Sequence, residues 1–131
     1  MKKKIAITLF FLFAIVTLSF ADTGYVYKGK VGKYPIVFTV WATAATASGD
    51  YYYVSQGANK KLQLDGENKG NNWWYFTETL HGDYNGTFLL MWDLTTRNGY
   101  KNVTGTYTNI YGDTYKVVLH CVKVIQNPYH I

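Results

Sequence analysis

From Tyr25 onward the chain repeats one unit. A strand-sized stretch rich in aromatic and β-branched residues is followed, about every twelve residues, by a cluster of glycine, asparagine, aspartate or lysine. No segment carries apolar residues at the alternating three-and-four spacing of an amphipathic helix. The pattern predicts eight strands over residues 25–32, 34–43, 48–55, 61–68, 73–80, 84–95, 102–110 and 114–124. Between them stand "GK", "ATAA", "QGANK", "KGNN", "HGD", "TRNG" and "YGD", all of them turn chemistry. Short connections make successive strands antiparallel neighbours, which is an up-and-down meander. Left open, such a sheet offers two unpaired edges to other chains, whereas closing it pairs both. The expected fold is therefore all-β, an eight-stranded antiparallel barrel. The alternative is a two-sheet β-sandwich, whose Greek-key crossovers need longer connections than these.

Alternation sorts side chains into faces. Ile36, Phe38 and Val40 share one side of the second strand, opposite Val37, Thr39 and Trp41. On the fifth strand Trp74, Phe76, Glu78 and Leu80 oppose Trp73, Tyr75, Thr77 and Thr79; on the sixth Phe88, Leu90, Trp92 and Leu94 oppose Leu89, Met91 and Asp93. Tyr51 and Tyr53 point one way and Tyr52 the other, so the run of three tyrosines is not one aromatic patch. We assign Trp74 and Phe76 to the core, with Tyr52, Trp73 and Tyr75 as an outward aromatic face; a one-residue change of register would exchange the two sets. Strands apolar on both faces imply a second covered surface, through oligomerisation, a covering segment or a ligand.

Residues 1–21 read as an export signal: Lys2, Lys3 and Lys4, an apolar stretch from Ile5 to Phe20, and small residues at Ser19 and Ala21 for cleavage. The expected mature domain is residues 22–131, with no transmembrane segment after cleavage and a periplasmic or extracellular location. Losing three lysines leaves ten basic residues against eight acidic ones, a net charge of +2. With no basic cluster besides, nucleic acid is not an expected partner. Cys121 is the single cysteine, so no intramolecular disulfide supports the fold, and it is expected to be a buried inert thiol.

"SGDYYY", "NGTF" and "TGTY" resemble the strand-opening motif of avidin-like, calycin-like meander barrels, in which glycine permits a bend and the aromatic two residues on turns inward. "YKGKVGKYPIVFTV", "SGDYYYVSQGANKKLQLDG" and "WWYFTE", in that order, resemble a group of small secreted bacterial β-barrel proteins of uncharacterised function. The resemblance covers most of the mature chain and implies a fold and a bacterial source rather than an activity. The polar residues that biotin-binding barrels set around the ureido ring have no counterpart here, and the Gly-x-Trp-x-Asn opening is missing. The resemblance thus implies a barrel with room for something other than biotin. Asn85 and Asn102 match the N-glycosylation acceptor pattern; with a bacterial source they are expected to be unmodified turn residues.

Candidate chemistry is sparse. His81, His120 and His130 lack metal-ligand spacing, and neither a phosphate-binding loop nor a Gly-x-Ser-x-Gly elbow occurs. Glu78 lies in a strongly apolar strand and Asp93 in another; such a pair could serve as general acid and base, but a structural carboxylate bonded to tyrosine hydroxyls or backbone is the better reading of Glu78. No catalytic residue, metal or cofactor is expected. The candidate ligand- or partner-binding residues are Trp41, Tyr52, Trp73, Tyr75, Glu78 and Trp92. Together they predict an exported, non-enzymatic binding module that holds a small apolar or glycan-like ligand in the barrel or uses an aromatic face. The alternative is a protein–protein module, such as a hydrolase inhibitor or an accessory subunit of a cell-envelope complex, with oligomerisation possible in either case.

Overall fold

The computed structural model describes residues 23–126; the predicted export segment and His130 lie outside them. Eight strands follow in chain order: β1 (Thr23–Val31), β2 (Tyr34–Ala42), β3 (Thr46–Tyr53), β4 (Leu62–Gly70), β5 (Trp73–Leu80), β6 (Asp83–Met91), β7 (Asn102–Asn109) and β8 (Thr114–Gln126). Each pairs antiparallel with the next, and β8 returns to β1, closing the barrel. The meander barrel is therefore the fold, and the sandwich is not. Closure satisfies both sheet edges with backbone hydrogen bonds, which matters for a small domain with no disulfide.

Tight turns follow from local chemistry. His81 and Gly82 both have positive φ, 54° and 84°, as do Asn71 and Asn72, 54° and 67°. These are the mirror-image turns whose twist matches that of the strands they join, and asparagine and glycine tolerate them best. Two connections are longer than expected. Residues 54–61 join β3 to β4, and β6 stops at Met91 rather than running to Thr95. After Met91 the chain crosses in a loop and a single 3-10 turn (Gly99–Lys101) before β7. The Trp92 amide bonds the Asn72 carbonyl at 2.8 Å, so this loop is tied to the β4–β5 turn while Trp92 still points inward.

The three glycine-aromatic pieces behave as expected. Gly49, Gly86 and Gly105 are each followed two residues on by a buried ring, Tyr51, Phe88 and Tyr107. A Cβ on Gly49 would collide with the Thr39 carbonyl oxygen, and one on Gly105 with that of Leu89. Only glycine lets those neighbouring backbones approach so closely as the sheet curls.

The barrel centre is solid. Phe38 packs edge-on against Phe76 and Phe88 at 5.6 and 5.5 Å between ring centroids, and Tyr51 against Phe88 at 5.1 Å. Trp74 is 2% exposed and Phe76 fully buried, whereas Trp73 and Tyr75 are each 37% exposed. This fixes the register of β5 in the sense expected from its sequence. Two expectations need correction. Cys121 is half-buried rather than buried: it packs against the edge of the core beside a register shift between β1 and β8, with its thiol 3.4 Å from the Lys123 carbonyl oxygen. Asn85 is not a turn residue but a strand residue of β6, while Asn102 opens β7.

Candidate functional site

Among the described residues both ends of the barrel hold open space, and shallower hollows lie on its outer face beside Trp41 and beside Val118. At one end β1–β2, β3–β4, β5–β6 and β7–β8 turn, and there a cavity of about 370 Å³ opens to solvent. Its walls include Tyr34, Tyr51, Tyr53, Tyr107 and Tyr115, with Ser55, Gln56 and Asn109 at the polar rim and Glu78 at the floor.

Glu78 has no solvent-exposed surface. Alternation along β5 turns it inward in line with Trp74 and Phe76, and three donors meet its carboxylate. The Tyr51 hydroxyl from β3 bonds Oε1, and the Asn85 side-chain amide from β6 bonds Oε2. The Tyr107 hydroxyl from β7 lies 3.2 Å from Oε2 and 3.3 Å from the Asn85 carbonyl oxygen. A bulge supplies Asn85. Glu78 pairs with Gly86 and Thr79 with Tyr84, so Asn85 is the extra residue on β6, and the bulge swings its side chain inward. Gly86 makes room in turn, since a Cβ there would strike the Tyr107 hydroxyl.

Electrostatics follow from that geometry. Burial pushes the Tyr51 phenol far above its ordinary range, and the adjacent Glu78 charge pushes it further. Tyr107 and Tyr53 are raised for the same leading reason, burial, with Glu78 adding to it. These hydroxyls therefore stay protonated at neutral pH and serve as hydrogen-bond donors rather than nucleophiles. Among the described residues Glu78 has no cationic partner; the ion pair found there, Lys69 with Glu67 at 2.8 Å, lies on the surface. No group of three histidine, cysteine or acidic side chains among the described residues could hold a metal ion.

The opposite end is closed differently. The Trp92 indole N–H donates to the Tyr27 hydroxyl at 2.7 Å, which donates to the Tyr100 carbonyl oxygen at 2.7 Å. Tyr25 packs edge-on against Trp92 at 5.7 Å and tilted, at 44°, against Tyr100 at 5.3 Å. Burial raises the Tyr27 phenol too. A recess of about 550 Å³ remains above Trp74 and Trp92, with Tyr25, Leu94 and the small residues Ala42 and Ala44 in its walls and Asn68 and Asn72 among its polar groups.

The six residues singled out from sequence do not form one site. Glu78 and Trp92 are inside but at opposite ends. Trp41 and Tyr52 lie on the outer face of β2 and β3, where Trp41 covers Gly24. Trp73 and Tyr75 are on the outer face of β5, next to Met91 and Leu89 of β6. Asp93 sits in the loop after β6, at the end away from Glu78. Its carboxylate accepts bonds from the Thr95 amide at 2.8 Å, the Thr95 hydroxyl at 2.6 Å and the Thr96 hydroxyl at 2.9 Å, and these hold its pKa below the usual range. Glu78 and Asp93 thus cannot act as a pair. Tyr51, Tyr53, Tyr107 and Asn85 were not among the sequence candidates. For Tyr51 and Tyr107 a signal existed, because the glycine two residues earlier marks an inward ring. Comparison with protein families, with curated proteins and with solved structures finds no match to this chain.

Proposed function

We propose that the protein is an exported, non-enzymatic binding module whose small ligand sits in the tyrosine-walled mouth above Glu78. The observation that carries this reading is the floor of this mouth, a buried carboxylate held by three donors beneath a tyrosine-walled cavity of about 370 Å³, within the size range of small-molecule sites. Ring faces would take up an apolar or sugar-like body, and the hydroxyls and amides of the rim would orient its polar edge. The carboxylate is satisfied by three donors before any ligand arrives, so the floor is preorganised, which lowers the cost of binding.

Backbone amide shifts recorded while titrating a panel of small saccharides, amines and aromatic acids test the proposal. Perturbations should gather at Ser55, Gln56, Asn109 and Tyr115. A second reading has an observation of its own. Trp73, Tyr75, Leu89 and Met91 adjoin on the outer face, with Leu89 42% exposed, and exposed apolar side chains grouped this way suit a protein partner. Shifts confined to that face on addition of a protein, with none in the mouth for any small ligand, would replace the first reading by the second.

A further inference from the structure

We infer that the ligand of this mouth carries a positive charge, as a small alkylammonium group seated on the tyrosine rings above Glu78. The inference rests on the mouth being the binding site and adds the class of ligand. Among the described residues Glu78 is the single charged side chain lining the cavity. It is completely buried, and no lysine, arginine or histidine among the described residues forms an ion pair with it. A buried carboxylate held by neutral donors alone leaves a negative potential in the space above it, undiminished by a counterion. Tyr34, Tyr53 and Tyr115 line the same space, and the Tyr34 and Tyr53 rings stand at 86° to each other with centroids 6.4 Å apart; aromatic rings attract a cation through the negative side of their quadrupoles. The ring at the rim already takes such a group within the chain, since the Lys33 ammonium stands 5.5 Å from the Tyr34 ring centroid.

The seating also narrows the kind of cation. Tyr51, Tyr107 and Asn85 occupy the carboxylate oxygens, so an incoming ammonium does not pair with Glu78 directly. It gains from charge through space and from ring faces, and neither requires N–H donors. Methylated ammonium groups, which bring an apolar shell and no unmet donors, suit this better than a bare primary amine. Lys33, Lys60 and Lys61 stand in turns at this end, but all three are exposed, and solvent and salt screen them over about 8 Å.

The probe is choline, set against 3,3-dimethylbutan-1-ol, which has the same shape without the charge. Both are titrated into the protein and followed by backbone amide shifts. Choline should shift Gln56, Asn109 and Tyr115, and the neutral isostere should bind at least tenfold more weakly. Glu78→Gln, which keeps size and a hydrogen-bonding oxygen, should lose at least tenfold of the choline affinity. If that variant does not fold, Tyr34→Leu with Tyr115→Leu replaces it, because both rings are exposed at the rim and their loss should weaken choline while leaving the fold intact. Equal binding of choline and the isostere would overturn the inference, as would retention of choline affinity in Glu78→Gln. Failure of both probes overturns it too, yet if a neutral compound of the panel still shifts the mouth residues, the mouth remains the binding site. If no small compound does, that reading falls as well.

Discussion

Trp73→Ala and Trp74→Ala, adjacent substitutions on one strand, should differ severalfold in cost. The Trp74 ring stacks on Phe76 at 6.3 Å with 24° between planes and meets Trp92 at 5.0 Å and 61°. It is 2% exposed, so removing it deletes nearly the whole buried area of an indole and leaves a cavity beside the rings of Phe76 and Trp92. Truncations of buried Trp or Phe cost about 3–5 kcal/mol. Against a total stability of about 5–15 kcal/mol, that is a large fraction. For a domain of this size each kcal/mol moves the melting temperature by roughly 4–8 °C, so Trp74→Ala should lower it by about 12–40 °C. Trp73 is 37% exposed and faces Met91 across the strand pair, so its loss should cost about 1 kcal/mol, in the ordinary range for a partly exposed side chain. Thermal unfolding followed by circular dichroism, with urea melts to obtain free energies, measures both. A cost for Trp73→Ala equal to or above that for Trp74→Ala would refute the register of β5 and with it the inward direction of Glu78.

Other outcomes follow from the same contacts. Tyr51→Phe keeps the ring and deletes one donor to a buried carboxylate, which should destabilise the protein by about 1–3 kcal/mol in a urea melt; a neutral result would mean that the hydrogen bond is not held in solution. Gly49→Ala or Gly105→Ala usually would gain slightly from reduced chain entropy, but here the new methyl meets a neighbouring carbonyl, so each should instead lose about 1–3 kcal/mol or more by chemical denaturation. The folded-state pKa values of Tyr27, Tyr51, Tyr53 and Tyr107 are raised above the unfolded value of about 10, so the stability they contribute is complete below pH 10 and is lost as pH rises beyond it. Phenolate absorbance should accordingly appear in two stages, the second coinciding with alkaline unfolding; complete ionisation before any loss of the circular dichroism signal would contradict the burial of these rings.

The period-two pattern and the turn residues were sufficient to show eight strands in meander order, because both are local properties of the chain: a pleat alternates faces, and Asn71-Asn72 or His81-Gly82 bend the backbone whatever lies beyond. The glycine two residues ahead of Tyr51, Phe88 and Tyr107 likewise marked inward rings. Alternation also grouped Glu78 with Trp74 and Phe76, but not whether that group faced the core, since a one-residue shift inverts every strand. Strand ends were less legible. Trp92 keeps the inward phase of Phe88 and Leu90 although β6 has already ended, so its periodicity outran its hydrogen bonding. The cluster around Glu78 belongs to tertiary structure alone. Tyr51, Asn85 and Tyr107 come from three strands as far as 29 residues away in sequence, and they meet only because closure brings β3, β6 and β7 around β5. The β6 bulge, which no local pattern signalled, then turned Asn85 inward. Distances across a barrel depend on how its strands stagger when the last pairs with the first, and that is a property of the whole sheet rather than of any segment.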